Sequence, residues 1–514
     1  MDRPLSPHAQ PVSAQRVALI AIAVGLAAQL LLHGHALGIN VLLAAAVLLV
    51  AAAVVTGGLR RTDPLDAWIP ATALLLAAFA ALRDDGPLVT LDVLGALGLC
   101  AASVPVFAGA SVTRASTTRI VSLAGRVMVA TSIGCAPLLD RVGRDTNPVA
   151  ELAAPGRRAF PVVRGLLLVL PLILIFAALF ASADPIFGRW VAQSTAWDLD
   201  LGDLWIRAAY VAIVGWLAGG LLWFGWIAAG QPRDEARSLG AAAATSTAPV
   251  VGGFRLGVTE ALTVLLALDL LFGAFVGLQL AYLFGGFDTL SAIGLTYADY
   301  ARRGFFELVA VVVLVGGLLL VLEAVVGHRT RAYVAAAATL IALTAVVLAS
   351  SWLRLGLYEQ AYGWTELRFY VAAAIVFLAL DLAAAAILIV RNRAQWLPHA
   401  VAASSLVVLI WVNVVGPQGF VTERNLERAI VPSGVPEYGD PSLDTGYLGT
   451  LDADAIPALV AVLPRLPEAQ RATVESLLAD AHWRFVVTSH EGWQSFNVAR
   501  ARARDALEGW AASR

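Results

Sequence analysis

Long apolar runs separated by short polar segments dominate this chain. They fall at 17–33, 36–56, 67–82, 89–109, 165–183, 205–229, 256–283, 305–326, 333–353, 369–390 and 398–415. Most approach the ~20 residues with which a helix crosses the hydrocarbon of a bilayer. Inside that hydrocarbon each can close its backbone hydrogen bonds only as a helix. The pattern therefore predicts an all-α fold, a polytopic transmembrane bundle of about eleven spans. The stretch 120–139, IVSLAGRVMVATSIGCAPLL, is almost long enough to cross but carries Arg126 at its middle, and reads as an interfacial or re-entrant helix. After residue 415 the pattern changes. RLPEAQRATVESLLADAHWRFVV has helical periodicity with frequent charges, following an irregular lead-in with Pro432, Pro436 and Pro441. Four regions are expected: four spans in 1–110, an arginine-rich loop with its interfacial helix in 111–160, seven core spans in 161–415, and a small, mostly helical extramembrane domain in 416–514. GAAAATSTAPVVGG, at 240–253, is low-complexity and reads as a loop.

Composition places the chain in the membrane. It is 59% hydrophobic and 14% charged, with mean hydropathy +0.77, against about 25% charged residues in a soluble domain. The net charge of -2 offers nucleic acid no global attraction. Every basic side chain other than histidine is an arginine, and arginine placement sets the orientation. Arg3 and Arg16, Arg60 and Arg61, the series from Arg114 to Arg164, Arg233, Arg237 and Arg255, Arg329 and Arg331, and Arg391 and Arg393 fall in alternate loops, read as cytoplasmic. The other loops hold His33 and His35, Arg83 with Asp84 and Asp85, Asp184, the acids of DLDLGD at 198–203, and Asp288 with Asp299. The exceptions are Arg302/Arg303 and Arg354/Arg368, which suggest local partners. The expected protein is a multi-pass cell-membrane protein, N-terminus inside and C-terminus outside. The polar N-terminus through Gln15, leading into an apolar run that continues into a second, predicts no cleavable signal peptide.

Charges at the edges of the spans are the candidate chemistry. YADYARRGFFEL brings Tyr297, Tyr300, Arg302, Arg303 and Glu307 to the mouth of one run. As a helix it pairs Asp299 with Arg302 and Arg303 and places Tyr300, Arg303 and Glu307 on one face. Such residues form an outer interfacial belt, or a polar cluster in which arginine forks grip a phosphate or carboxylate. RLGLYEQAYGWTELR repeats the theme: Arg354, Tyr358 and Tyr362 step by four, Glu366 continues the step, and Arg368 follows. Within the spans, Glu260, Asp269 and Asp381 are expensive in lipid, about 2.5–3.5 kcal/mol for an aspartate at a helix centre. They should face protein or water, as interhelical glue or as proton-coupling groups. Glu323 lies at an inner end. The motif HGH at 33–35 reads as interfacial, and RDD at 83–85 as a solvated acidic loop, a divalent cation being the sharper alternative for each. Cys100 and Cys135 fit neither a disulfide framework nor a metal centre. No catalytic residue, metal or cofactor is expected; the expected partners are the bilayer and, at the outer cluster, an anionic lipid or an envelope protein.

SADPIF, LFGAFVGLQLAYLFGG, YADYARRGFFEL, RLGLYEQAYGWTELR, GFVTERNLER and LDTGYLGTLDADAIPAL together resemble a bacterial integral-membrane family known as domain of unknown function 4173, with a related domain numbered 4153. The resemblance covers roughly 160–465. It implies a polytopic membrane protein with a C-terminal extramembrane segment and brings no activity, substrate or cofactor. It singles out Asp184, Gln279, Tyr282, Tyr297, Tyr300, Arg302, Gly304, Glu307, Arg354, Tyr358, Tyr362, Arg368, Asn425, Arg428, Asp444, Tyr447, Asp454 and Pro457. Most fall on the outer face. The tail is thus expected to dock there, with Arg428 and the acids of LDADAI pairing with Arg302, Arg303 or Arg354, and Tyr447 buried beneath.

Three functional readings follow, in order: a non-enzymatic envelope component for sensing, assembly or scaffolding; a secondary carrier of an anionic or amphiphilic solute with Asp269 or Asp381 as coupling acids; and a lipid-linked glycan transferase using Asp84 and Asp85.

Overall fold

The computed structural model describes residues 12–58, 61–115, 117–146, 202–230, 258–284, 311–319, 330–391, 393–430, 444–488 and 492–513, with Leu322 and Val326. Among these residues there is no β-strand. The helices are α1 (Ala14–Leu32), α2 (Ile39–Thr56), α3 (Trp68–Leu82), α4 (Gly86–Phe107), α5 (Thr117–Ile133), α6 (Ala136–Thr146), α7 (Gly202–Ala229) and α8 (Val258–Phe284). They continue with α9 (Arg331–Tyr362), α10 (Glu366–Val390), α11 (Leu397–Val415), α12 (Pro417–Ile430), α13 (Thr445–Leu448), α14 (Ile456–Val462), α15 (Glu468–His482) and α16 (Val498–Ala512).

Nine helical segments among the described residues are long and apolar enough to cross a membrane: α1, α2, α3 together with the 3-10 turn that leads into it from Pro64, α4, and α7 to α11. The protein is an all-α, multi-pass membrane bundle. Large apolar side chains remain exposed along these helices, Leu270 at 79% and Leu30 at 63%, where lipid is their natural solvent. Of the two other expected spans, 165–183 lies outside the described residues, and 305–326 is described only as a helix over 311–319 with Leu322 and Val326. The segment Ser122–Ile133 turns by 63° into Ala136–Val142, so 120–139 is not one straight crossing.

The ends of these helices follow from their sequence. Ser13, Thr330 and Thr365 each accept a hydrogen bond from a backbone N–H of the following turn, that of Arg16, Tyr333 and Arg368 respectively. Asp85 does the same for Leu88, with Pro87 in the first turn of α4. The α9 helix runs nine residues beyond its expected end and stops only at Gly363, whose φ of +74° suits a residue without a side chain.

The chain forms two compact units. The first comprises 1–82, 90–246 and 491–497. Its core joins Val17, Ala21, Leu49, Ala52, Val55, Ala73, Cys100, Leu222 and Trp226. α1 lies tightly on α7: a Cβ on Gly25 would come 2.6 Å from the Val211 carbonyl oxygen. The second unit comprises 83–89, 247–490 and 498–514. Its membrane core runs through α8, α9 and α10 with Leu265, Phe272, Tyr333, Leu340, Val347, Ile375 and Leu382. A separate core gathers Leu426, Leu448, Leu451, Ile456, Leu459, Val474, Leu478, Ala503 and Leu507 from α12 to α16.

Candidate functional site

In the second unit one end of the membrane helices carries a dense polar junction. It begins with the three residues Arg83, Asp84 and Asp85, which lead into α4. Arg83 donates through Nε to the Asn413 carbonyl at 2.8 Å and through Nη2 to that of Val414 at 3.0 Å, placing a cation on the C-terminal carbonyls of α11. Its Nη1 also pairs with Asp454 at 3.3 Å. The other Asp454 oxygen accepts the Asp84 backbone N–H at 2.7 Å. The Asp84 side chain meets Arg500 of α16 at 2.6 Å. Asp85 is fully buried; its Oδ1 accepts the Leu88 N–H at 3.1 Å and the Tyr370 hydroxyl at 2.6 Å, while Oδ2 is buried without a hydrogen-bond partner.

The start of α10 extends the junction. Tyr447 accepts the Glu366 N–H at 2.7 Å, and the Glu366 carboxylate accepts the Gln418 amide at 2.8 Å. Gln418 in turn accepts the Asp452 N–H at 2.9 Å. Asn425 binds both backbone groups of Trp364, accepting its N–H and donating to its carbonyl, each at 2.8 Å. Beneath lie Leu88, Phe369, Ala373, Val412 and Val421.

Burial sets the electrostatics. It pushes the Asp85, Asp452 and Asp454 carboxyls above the usual aspartate range, against the hydrogen bonds that favour their charged forms. Burial also pushes the Tyr447 hydroxyl up to about 12. The charges and amides of this junction are spent on one another. It clamps α12 to α16 and the α4 entry onto the ends of α10 and α11. Beside it lies a cleft of about 320 Å³ walled by Arg83, Gly416, Phe420, Glu423, Asp454 and Arg502.

Some expected site residues converge here and others do not. Tyr358 and Tyr362 meet edge-to-face at 5.1 Å, and the Arg368 guanidinium lies 4.1 Å from the Tyr358 ring centre and 5.9 Å from that of Tyr362. Arg354 sits half-buried one turn earlier on α9. Glu366 does not continue that face, because Gly363 ends α9 and Thr365 caps a new helix. Tyr297, Tyr300, Arg302, Arg303 and Glu307 lie outside the described residues, as does Glu323. Asp381 accepts the Ser404 hydroxyl at 2.5 Å, tying α10 to α11. Asp269 on α8 has a buried Oδ1 without a hydrogen-bond partner, and Glu260 is exposed near the start of that helix.

One expectation is corrected: the RDD turn is not a solvated acidic loop but the centre of the junction. Asp454, the second acid of LDADAI, pairs with Arg83, and Arg428 donates to the Glu359 carbonyl at 3.3 Å, while Arg302 and Arg303, expected as partners of the tail, lie outside the described residues. Among the described residues no three His, Cys, Asp or Glu side chains are arranged to hold a metal ion.

The family described as Domain of unknown function (DUF4153) matches residues 71–462, more than half of the chain. No curated protein and no solved structure matches it.

Proposed function

From the premise that the chain belongs to the family Domain of unknown function (DUF4153), we propose that this multi-pass membrane protein is a non-enzymatic component of the bacterial cell envelope, used in assembly or scaffolding. The observation that carries the reading is the clamp: Arg83, Asp84, Asp454 and Arg500 are joined side chain to side chain and to backbone. Such an arrangement presents α12 to α16 as a fixed platform rather than a swinging domain. The orientation belongs to the same proposal. Arg331 and Arg391 lie at the ends of α9 and α10 away from Tyr362 and Glu366, which favours a cytoplasmic arginine-rich end and an extracytoplasmic clamp. A closer kinship with the domain numbered 4173 is a further part of that proposal, beyond the family match itself.

The buried, unpartnered Oδ1 of Asp269 favours a second reading, a proton-coupled carrier. Asp84 and Asp85, on which a transferase reading would rest, are engaged with Arg500, Tyr370 and the α4 backbone.

One experiment separates scaffold from carrier. The full chain in sealed proteoliposomes is given a pH gradient and a broad panel of organic and inorganic anions. The scaffold reading predicts no flux, together with an envelope defect in cells lacking the protein that Asp269→Asn repairs as well as wild type. Gradient-dependent flux abolished by Asp269→Asn would replace it with the carrier.

A further inference from the structure

The first unit contains a groove of about 470 Å³, lined by none of the clamp residues. One wall is a single stripe of α5: Ser122, Gly125, Arg126, Val129 and Ala130, at positions i, i+3, i+4, i+7 and i+8 of a helix face. The other is the end of α7, with Phe224, Ile227 and Ala228. Small residues on both walls leave the space open; a Cβ built on Gly125 meets nothing within 4 Å. Apart from Ser122 and the Arg126 guanidinium the lining is apolar, and the next residue before Val129 on α5, Met128, is 70% exposed. An apolar groove with a cation in its lining matches an amphiphile with an anionic head.

Charge points the same way. Residues 111–139 contain Arg114, Arg119 and Arg126 and no acid. Arg114 is paired with Asp63, whereas Nη2 of Arg119, three residues before Ser122 on α5, is buried without an acceptor. Nearby, Arg61 donates to the Ala229 carbonyl, placing another arginine at the end of α7 that borders the groove. Basic pockets between membrane helices at the arginine-rich end of a protein bind the head groups of anionic lipids.

We propose that the α5–α7 groove is a binding site for one anionic phospholipid, an acyl chain lying against Gly125, Val129, Ala130, Phe224 and Ile227 and the phosphate held by Arg126 with help from Arg119. The site anchors the bent α5–α6 segment to the leaflet. This is independent of the scaffold reading, since a carrier would hold such a lipid equally well.

The test uses the purified full chain in detergent, with phosphatidylglycerol and chain-matched phosphatidylcholine as probes. Bound lipid is read by native mass spectrometry and stabilisation by thermal melting. Wild type should retain phosphatidylglycerol in preference to phosphatidylcholine and melt higher in its presence. Arg126→Gln removes the head-group contact. Gly125→Leu fills the groove where space exists and favours the helix, so it should fold normally in phosphatidylcholine. Each should weaken phosphatidylglycerol retention about tenfold or more and abolish its extra stabilisation. Arg114→Gln, altering a charge that does not line the groove, should do neither. Equal retention of the two lipids by wild type, or retention unchanged in both groove variants, would overturn the proposal. So would an Arg114→Gln loss as large as that of Arg126→Gln, because the attraction would then be diffuse. Displacement of the lipid by millimolar inorganic phosphate alone would assign the site to small anions instead.

Discussion

The pair Arg500–Asp84 offers the sharpest test of the clamp. Its atoms approach to 2.6 Å, and the side chains are only 10% and 21% exposed. Arg500→Gln removes a charge-assisted hydrogen bond, a contact contributing about 1.5–3 kcal/mol. It also leaves the Asp84 carboxylate largely shielded, a situation that costs about 3–5 kcal/mol when a pair is fully buried. Asp84 keeps about a fifth of its surface in water, so the lower range applies. A loss of about 2 kcal/mol, or roughly thirtyfold in the population of undocked α16, is expected. Ala503 is fully buried among Leu426, Leu459 and Leu507. In a background with Cys100→Ala and Cys135→Ala, a cysteine placed by Ala503→Cys reacts with a soluble maleimide only when α16 lifts. Its labelling rate should rise about thirtyfold for Arg500→Gln. Asp84→Asn should give a similar rise, and the double variant little more than either alone. Effects that simply multiply in the double variant, within the ~0.3–0.5 kcal/mol expected of independent sites, would refute the claim that the pair holds the helix.

Other predictions use the same junction. Asn425→Ala removes two 2.8 Å hydrogen bonds from the Trp364 backbone and should lower stability by about 2 kcal/mol in denaturant titrations. Gly363→Ala should be at least as harmful by thermal melting, because its φ is +74° and its Cβ would lie 2.7 Å from Asn425 Oδ1. Asp381→Leu should cost little, since it removes a carboxyl that serves one hydroxyl; a melting shift as large as that of Asn425→Ala would contradict the reading of this contact as only modest interhelical glue.

The spans were readable because lipid imposes one rule on long stretches of chain, and the described helices follow the apolar runs to within a turn at most of their ends. The Tyr358–Tyr362 pair was readable from a four-residue step. Arg368 was expected beside them, but its stacking on their rings was not, because Gly363 turns the chain and brings Arg368 back from the next helix. The clamp itself was the least legible. Arg83 and Asp454 are 371 residues apart, and Asp84 and Arg500 416 apart. A short run of three charged residues between two spans carries no local sign of that closure and has the composition of a loop in water. Asn425 and Tyr447 belong to motifs that marked the tail, yet their task, closing backbone groups of Trp364 and Glu366, depends on which helix end they meet.

Acidity provides the last test of how the junction is built. Asp85, Asp452 and Asp454 have an ordinary value of 3.8, and burial raises each in the folded protein. Between 3.8 and those raised values the native state binds more protons than the unfolded chain, so stability falls as pH rises across the window and is fully present below it. An exposed set of Arg–Asp bridges would behave in the opposite sense, losing stability as acid protonates the carboxylates. Asp85 decides between the two. Asn at this position keeps the oxygen that accepts from Leu88 and Tyr370 and replaces an oxygen that has no partner. Asp85→Asn should therefore melt at least as high as wild type near neutrality and show a flatter pH profile through the acidic range. Wild-type stability that instead climbs with pH across that range, with Asp85→Asn the weaker protein throughout, would mean that the charged form of Asp85 supports the turn and that attraction outweighs desolvation at the centre of the clamp.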